Sequence, residues 1–197
     1  MDIENFHTIE YQIQVKNICD YGGDRGFIEF FDHKALIVLM DGSGHDRAAN
    51  HAVDVAEDHI RDNMSKDMDL REVMNELNVI LKSTVGAAIF LGIINLKILK
   101  MEYVSMGNVT CLKYEGEILD MAKSREGIVG NLFVSPKMFS FSLQPQDLLI
   151  LFSDGIKYFR NGEDISSKIS TKIICGNIMK HDRDGEDDAS CIVIKVQ

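Results

Sequence analysis

The chain has 197 residues, with 21 Lys+Arg against 31 Asp+Glu and a net charge of −10. That balance argues against nucleic acid or an anionic membrane surface as partner, since both want a basic face. Hydrophobic residues at 45% and charged residues at 26% describe a globular chain, not a disordered one. No run of 18 apolar residues occurs, and the start MDIENFHTIEYQ lacks the basic and apolar segments of a signal peptide. A cytoplasmic location without membrane contact is therefore expected. Neither a repeat nor a Pro-, Gly- or Ser-rich linker divides the chain, so one domain over 1–197 is expected, burying roughly 70% of its unfolded surface.

In chain order, Ile9, Tyr11, Ile13 and Val15 alternate with polar residues and predict a first strand. Phe27 to Phe31 is a short apolar run, and ALIVLM (35–40) reads as a fully buried strand. Ala49, Ala52, Val53, Ala56, Ile60 and Met64 recur at helical steps and predict a helix over about 46–64. Leu70, Val73, Met74, Leu77 and Leu81 predict a second, over about 70–82, with Asp69 as its cap and Glu72 three residues on. The period then changes. Strands are expected at 87–94 and 98–105, and at 109–114 and 118–122 around the turn Glu115-Gly116-Glu117. Further strands are expected at 139–143, at LLILF (148–152) and at 189–196, with a third helix over 166–179 carrying Ile169, Ile173 and Ile178. Strands in runs with helices between them indicate α+β. The layered solution is two stacked sheets covered by helices outside.

Acidic residues recur at the ends of these strands. Asp24 follows Gly22-Gly23; Asp41 follows ALIVLM and precedes Gly42; Asp154 follows LLILF-Ser153 and precedes Gly155; Asp187 and Asp188 open the last strand. A following glycine allows a sharp turn. Carboxylates gathered at one rim repel and need a cation or a proton. An all-oxygen donor set selects Mg²⁺ or Mn²⁺ over zinc, and two such ions acidify a shared water and clamp a phosphoryl group. Asp-Gly is also an ordinary turn dipeptide, and two copies read equally as two turns.

Taken in order, Asp24, Asp41-Gly42-Ser43-Gly44-His45, Ser153-Asp154-Gly155 and Asp187-Asp188-Ala189-Ser190 resemble the motifs of the metal-dependent PPM class of serine/threonine protein phosphatases, in its SpoIIE-like branch. The likeness runs over nearly the whole chain and includes Gly86-Ala87-Ala88 and Ser105-Met106-Gly107-Asn108. The compact length is similar to that of stand-alone stressosome phosphatases. The resemblance implies a four-layer α/β/β/α sandwich of two antiparallel sheets. It implies two divalent cations, Mn²⁺ or Mg²⁺, bridged by Asp41, with the Gly42 carbonyl, Asp24, Asp154 and Asp187 completing the metal site. It implies attack of metal-bound water on phosphoserine or phosphothreonine of a bacterial signalling protein, of the stressosome or sigma-factor regulatory kind. The alternative is a non-catalytic module of the same fold that binds a phosphorylated partner.

Two positions depart from the motif. Asp46 stands where many relatives have glycine and suits a helix N-cap, or adds charge to the metal rim. Arg25 follows the first aspartate; it can hold substrate phosphate bidentately, pair with a carboxylate, or face solvent. His45 is the histidine nearest the motif, a candidate general acid for the leaving alcohol or a hydrogen-bonded loop residue. The chain around 181–186 lacks the acidic spacing of a calcium loop, and no phosphate-binding glycine loop occurs. Four scattered cysteines without C-x-x-C read as free thiols.

Overall fold

The computed structural model describes residues 6–65, 67–116, 118–157, 159 and 165–197. Residues 1–5 of the N-terminal segment and Glu117 of the expected hairpin turn lie outside the described residues. The elements are β1 (Ile9–Lys16), β2 (Asp24–Phe31), β3 (Lys34–Gly42), α1 (Arg47–Asp62), α2 (Leu70–Ile80) with a 3₁₀ turn at Leu81–Ser83, β4 (Ala87–Asn95), β5 (Lys100–Met106), β6 (Thr110–Glu115), β7 (Ile118–Met121), β8 (Phe139–Ser142), β9 (Leu148–Phe152), α3 (Thr171–His181) and β10 (Ala189–Val196). One sheet runs β2-β3-β4-β5-β8, the other β1-β10-β9-β6-β7, and every pairing is antiparallel.

Side-chain parity builds the four layers. Successive residues of a strand point to opposite faces. On β3, Leu36, Val38 and Met40 pack under α1 and α2 with Ala52, Ile60, Met74 and Leu77. Ala35, Ile37 and Leu39 face the other way, into the space between the sheets, and meet Leu149 and Leu151 of β9 and Ile192 and Ile194 of β10. The outer face of the second sheet, with Ile150 and Cys191, packs on Ile174, Cys175 and Ile178 of α3. Strands buried on both faces read as continuous apolar runs, which is why ALIVLM and LLILF show no alternation. The fold is thus the expected α/β/β/α sandwich. No described helix is long and apolar enough to cross a membrane.

Three local differences from the sequence reading have physical causes. β2 begins at Asp24, not Phe27, because it pairs with β3 along its full length, from Asp24 opposite Asp41 to Phe31 opposite Lys34. The turn after β4 runs to Leu99, which takes the left-handed conformation at φ +48°, and β5 starts at Lys100. α3 begins at Thr171 instead of Ser166, because Ser170 caps it and Glu10 of β1 accepts from the Thr171 backbone N–H at 2.8 Å. That start turns Ile173 outward, 55% exposed, while Ile174 is buried. Substituting Ile174 by alanine is therefore expected to cost about 2–5 kcal/mol and Ile173 less than about 0.5 kcal/mol, read by urea unfolding; equal costs would refute this helix register.

Candidate active site

The inward parity of each central strand continues past its apolar stretch. On β3 the series Ala35, Ile37, Leu39 ends in Asp41; opposite Asp41 in register stands Asp24 of β2. Residues directly opposite in an antiparallel pair have Cβ atoms about 5 Å apart. On the second sheet, Leu149 and Leu151 lead to Ser153, and Ile194 and Ile192 lead back to Ser190 and Asp188. Polar groups thus replace apolar ones at one end of the space between the sheets.

They form a bridge across it. Ser153 Oγ donates to Asp24 Oδ2 at 2.6 Å and accepts from the Ser190 N–H at 2.9 Å. Asp188, 3% exposed, accepts from Gly23 N–H at 2.6 Å through Oδ2 and from Ile18 N–H at 2.8 Å through Oδ1. Gly23 O in turn accepts from the Gly42 N–H at 2.8 Å, and Gly86 O from the Ser43 N–H. The two Asp-Gly glycines are demanded by close packing. A Cβ on Gly42 would stand 2.6 Å from Ala49 O, and one on Gly155 would stand 2.1 Å from Asp188 O. Neither glycine has positive φ; the left-handed turn after Asp41 falls at Gly44, φ +106°.

Outside this bridge lies a cleft of about 470 Å³. Asp41, Gly42, His45, Asp154 and Asp187 line it, with Asn108 and the Glu126–Ile128 strip on the opposite wall. Among the described residues that line it there is no Lys or Arg. Asn108 Nδ2 donates to Asp154 Oδ2 at 2.7 Å, and His45 Nδ1 lies 2.8 Å from Asp187 Oδ1. Burial pushes Asp41 up to about 8, helped by the neighbouring charges of Asp24, Asp154 and Asp187 and by a carboxyl–carboxyl hydrogen bond with Asp154. Burial raises Asp24 to about 6, against the hydrogen bond from Ser153 and the nearby Ser190 hydroxyl, with the charges of Asp188 and Asp154 adding to the rise.

The SpoIIE model, Stage II sporulation protein E, matches residues 32–197. The chain belongs to the SpoIIE family. No curated protein matches it. Solved structures give the same fold at low identity. RsbX in complex with magnesium superposes with a TM-score of 0.82 at 20% identity, covering 98% of each chain. A structure from the bacterial stressosome, described as a modular system adapted to control secondary messenger signalling, gives 0.83 at 18% identity over 95% of this chain and 100% of that one. The PP2C phosphatase domain of SpoIIE from Bacillus subtilis, solved with a fragment of its regulatory domain, gives 0.80 at 18% identity over 97% of this chain and 62% of that one. Family and fold are those of PPM phosphatases.

Within that family setting, the residues singled out from sequence divide into three groups. Asp41, Gly42, His45, Asp154 and Asp187 share the cleft. Asp24 stands behind it, 3% exposed, opposite Asp41. Arg25 is not brought to the cleft: it lies one residue along β2, on the opposite face, and pairs with Asp54 at 2.5 Å and Glu57 at 3.5 Å on α1. Asp46 takes the N-cap of α1, accepting from the Ala48 and Ala49 N–H groups. Asp188, Ser153 and Asn108 received no role from sequence; extending the inward parity of β9 and β10 by one more step would have found the first two.

Among the described residues no three His, Cys, Asp or Glu side chains form a ready-made ion cage. The donor set nonetheless fits hard divalent cations. It is all oxygen at its centre, Asp24 Oδ1 is buried with no hydrogen-bond partner, and the crowding that lifts Asp41 is relieved by positive charge.

The raised pKa values fix a sign. The unfolded chain loses the Asp41 proton near the ordinary carboxylate value of about 3.9, whereas the folded chain keeps it to about 8. Between those values the fold binds more protons than the unfolded chain, so stability falls as pH rises, and the loss is complete above about 8. In EDTA-treated protein, Asp41→Asn should raise the thermal midpoint at pH 8 by several degrees and flatten its decline from pH 5 to 8, at about 2–4 °C per kcal/mol. Parallel pH profiles for the two proteins in scanning calorimetry would contradict the crowding.

Proposed function

We propose that the chain is a divalent-cation-dependent protein phosphatase acting on phosphoserine or phosphothreonine. The observation that carries this reading is the cleft itself: three aspartates, Glu126 and His45 line it, with no Lys or Arg among the described residues that do so. A phosphoryl dianion enters such a cleft only with cations to offset the repulsion. Asp41, the Gly42 carbonyl, Asp24, Asp154 and Asp187 would hold them. Two Mn²⁺ or Mg²⁺ ions, when bound, neutralise phosphoryl charge and lower the pKa of an attacking water.

The protein's own groups have separate tasks. Asn108 orients the Asp154 carboxylate by donating to its Oδ2. Ser153 and Asp188 fix Asp24 and the Gly23–Gly42 contact, so the acidic groups are held on strand ends instead of loose loops. Asp187 holds the His45 imidazole, which as its protonated form can give a proton to the departing serine or threonine oxygen. The single domain is read as 1–197, since β1 pairs with β10 along eight positions, and its place as cytoplasmic.

The partner class follows the relatives. RsbX, the stressosome structure and 62% of a Mycobacterium tuberculosis chain that carries RsbU and RsbW domains match this fold. By that likeness the substrate would be a phosphorylated signalling protein of the stressosome or sigma-factor regulatory kind.

Purified protein with Mn²⁺ should release phosphate from a phosphoserine peptide and lose that activity in EDTA. Asp41→Asn should lower kcat by at least about 10³-fold while unfolding cooperatively, and His45→Gln by about 10²-fold. Calorimetric titration with Mn²⁺ separates this reading from a non-catalytic module. Metal-independent phosphate release, or full activity in Asp41→Asn, would refute it.

A further inference from the structure

A second, shallower groove of about 270 Å³ adjoins the cleft. Gly107 and Asn108 line both, so the two depressions share a wall. The groove is mostly apolar, with Val109, Ala122 and Met121, which is 65% exposed, and Lys123 on its rim.

One strip of chain forms this rim, and backbone and side-chain hydrogen bonds fasten it. Ala122 N–H donates to Cys111 O at 2.8 Å, Lys123 N–H to Tyr103 Oη at 2.9 Å, and Arg125 N–H to Ser105 O at 3.0 Å. Arg125 O accepts from Gly107 N–H at 2.8 Å, and Ser124 Oγ donates to Gly107 O at 3.0 Å. The strip is rigid, yet its two basic side chains are exposed. Among the described residues neither the Lys123 ammonium nor the Arg125 guanidinium has a hydrogen bond or ion pair. By contrast, Arg25 pairs with Asp54, Arg47 lies on the Tyr21 ring and Lys157 pairs with Asp184. In a chain of net charge −10, two unengaged cations beside an acidic cleft mark a place for negative charge.

We propose that this groove docks the polypeptide flanking the phosphorylated residue and selects an apolar and an acidic neighbour. An extended segment advances about 3.3 Å per residue with side chains alternating. With the phosphoresidue in the cleft, the chain passes over the Gly107–Asn108 wall, an apolar side chain covers Met121, and a carboxylate meets Lys123 and Arg125. The inference rests on the phosphatase reading and extends it to substrate choice.

The probes are a synthetic phosphoserine peptide with leucine and glutamate beside the phosphoserine, and its twin with lysine in place of glutamate. With Mn²⁺, kcat/KM should favour the glutamate peptide by about five- to ten-fold. The double variant Lys123→Glu/Arg125→Glu should erase or invert that ratio, which a merely structural change would not do. p-Nitrophenyl phosphate has no flanking chain and reports the cleft alone. Its turnover with equal kcat/KM for the twins, or with an unchanged ratio in the double variant, overturns the groove and leaves the phosphatase reading standing. If no probe is turned over, the phosphatase reading falls. Anisotropy with the fluorescein-labelled, unphosphorylated twins then decides the groove: the same preference supports it, and equal or absent binding overturns it.

Discussion

Asp24 and Asp41 face each other across the β2–β3 ladder, and Asp154 and Asp187 approach from the second sheet. Carboxylates brought so close repel, and burial removes the water that would screen them. Burial first, and the neighbouring charges with it, push Asp41 up to about 8. The fold sustains it because each acid is fixed by structure that does not depend on it. The strands carrying them continue apolar runs packed between two sheets, and protein donors hold Asp24, Asp154 and Asp187 in place. On the proposed function, concentrated negative charge on a rigid frame is what would suit the site to cations and, through them, to phosphate.

The sandwich supplies the convergence at small cost. Its inward-facing residues are apolar for most of their length and turn polar only at one end. There Ser153 stitches Asp24 of one sheet to Ser190 of the other, and Asp188 ties down the chain before β2. A buried polar group that finds a partner is tolerated in a core, whereas an orphan is costly. Asp24 Oδ1 and Ser190 Oγ are the orphans here, and Asp24 stands opposite Asp41. The opposite wall has another character: a strip from Ala122 to Ile128, fastened by its backbone, presents side chains rather than charge-crowded strand ends.

Much of this was legible because buried strands and helices leave strong marks. ALIVLM and LLILF identify the two central strands, the stripes through Ala49–Ile60 and Leu70–Leu81 identify the flanking helices, and the acids follow at the strand ends. Legibility failed where a residue's role depends on its neighbour across space. The apolar run that marks β2 begins only at Phe27, and it is pairing with Asp41 that makes Asp24 part of the strand. Arg25 seemed suited to phosphate from its place beside Asp24, but strand alternation sends it to the opposite face and to Asp54. Ile173 fitted a helical stripe whose start was misplaced, since Glu10 and the Ser170 cap that set the start lie outside the periodicity.

By itself the sequence determined the element types, the α+β layering and the identity of the acids, because burial and helix or strand period are written locally. Register and the meeting of the two sheets were decided only in the tertiary structure. They bring together residues as far apart as Asp24 and Ser153, or Gly23 and Asp188, and such pairings depend on the summed packing of whole strands. The same holds for the wall shared by cleft and groove, where Asn108 meets Asp154 across 46 positions of chain.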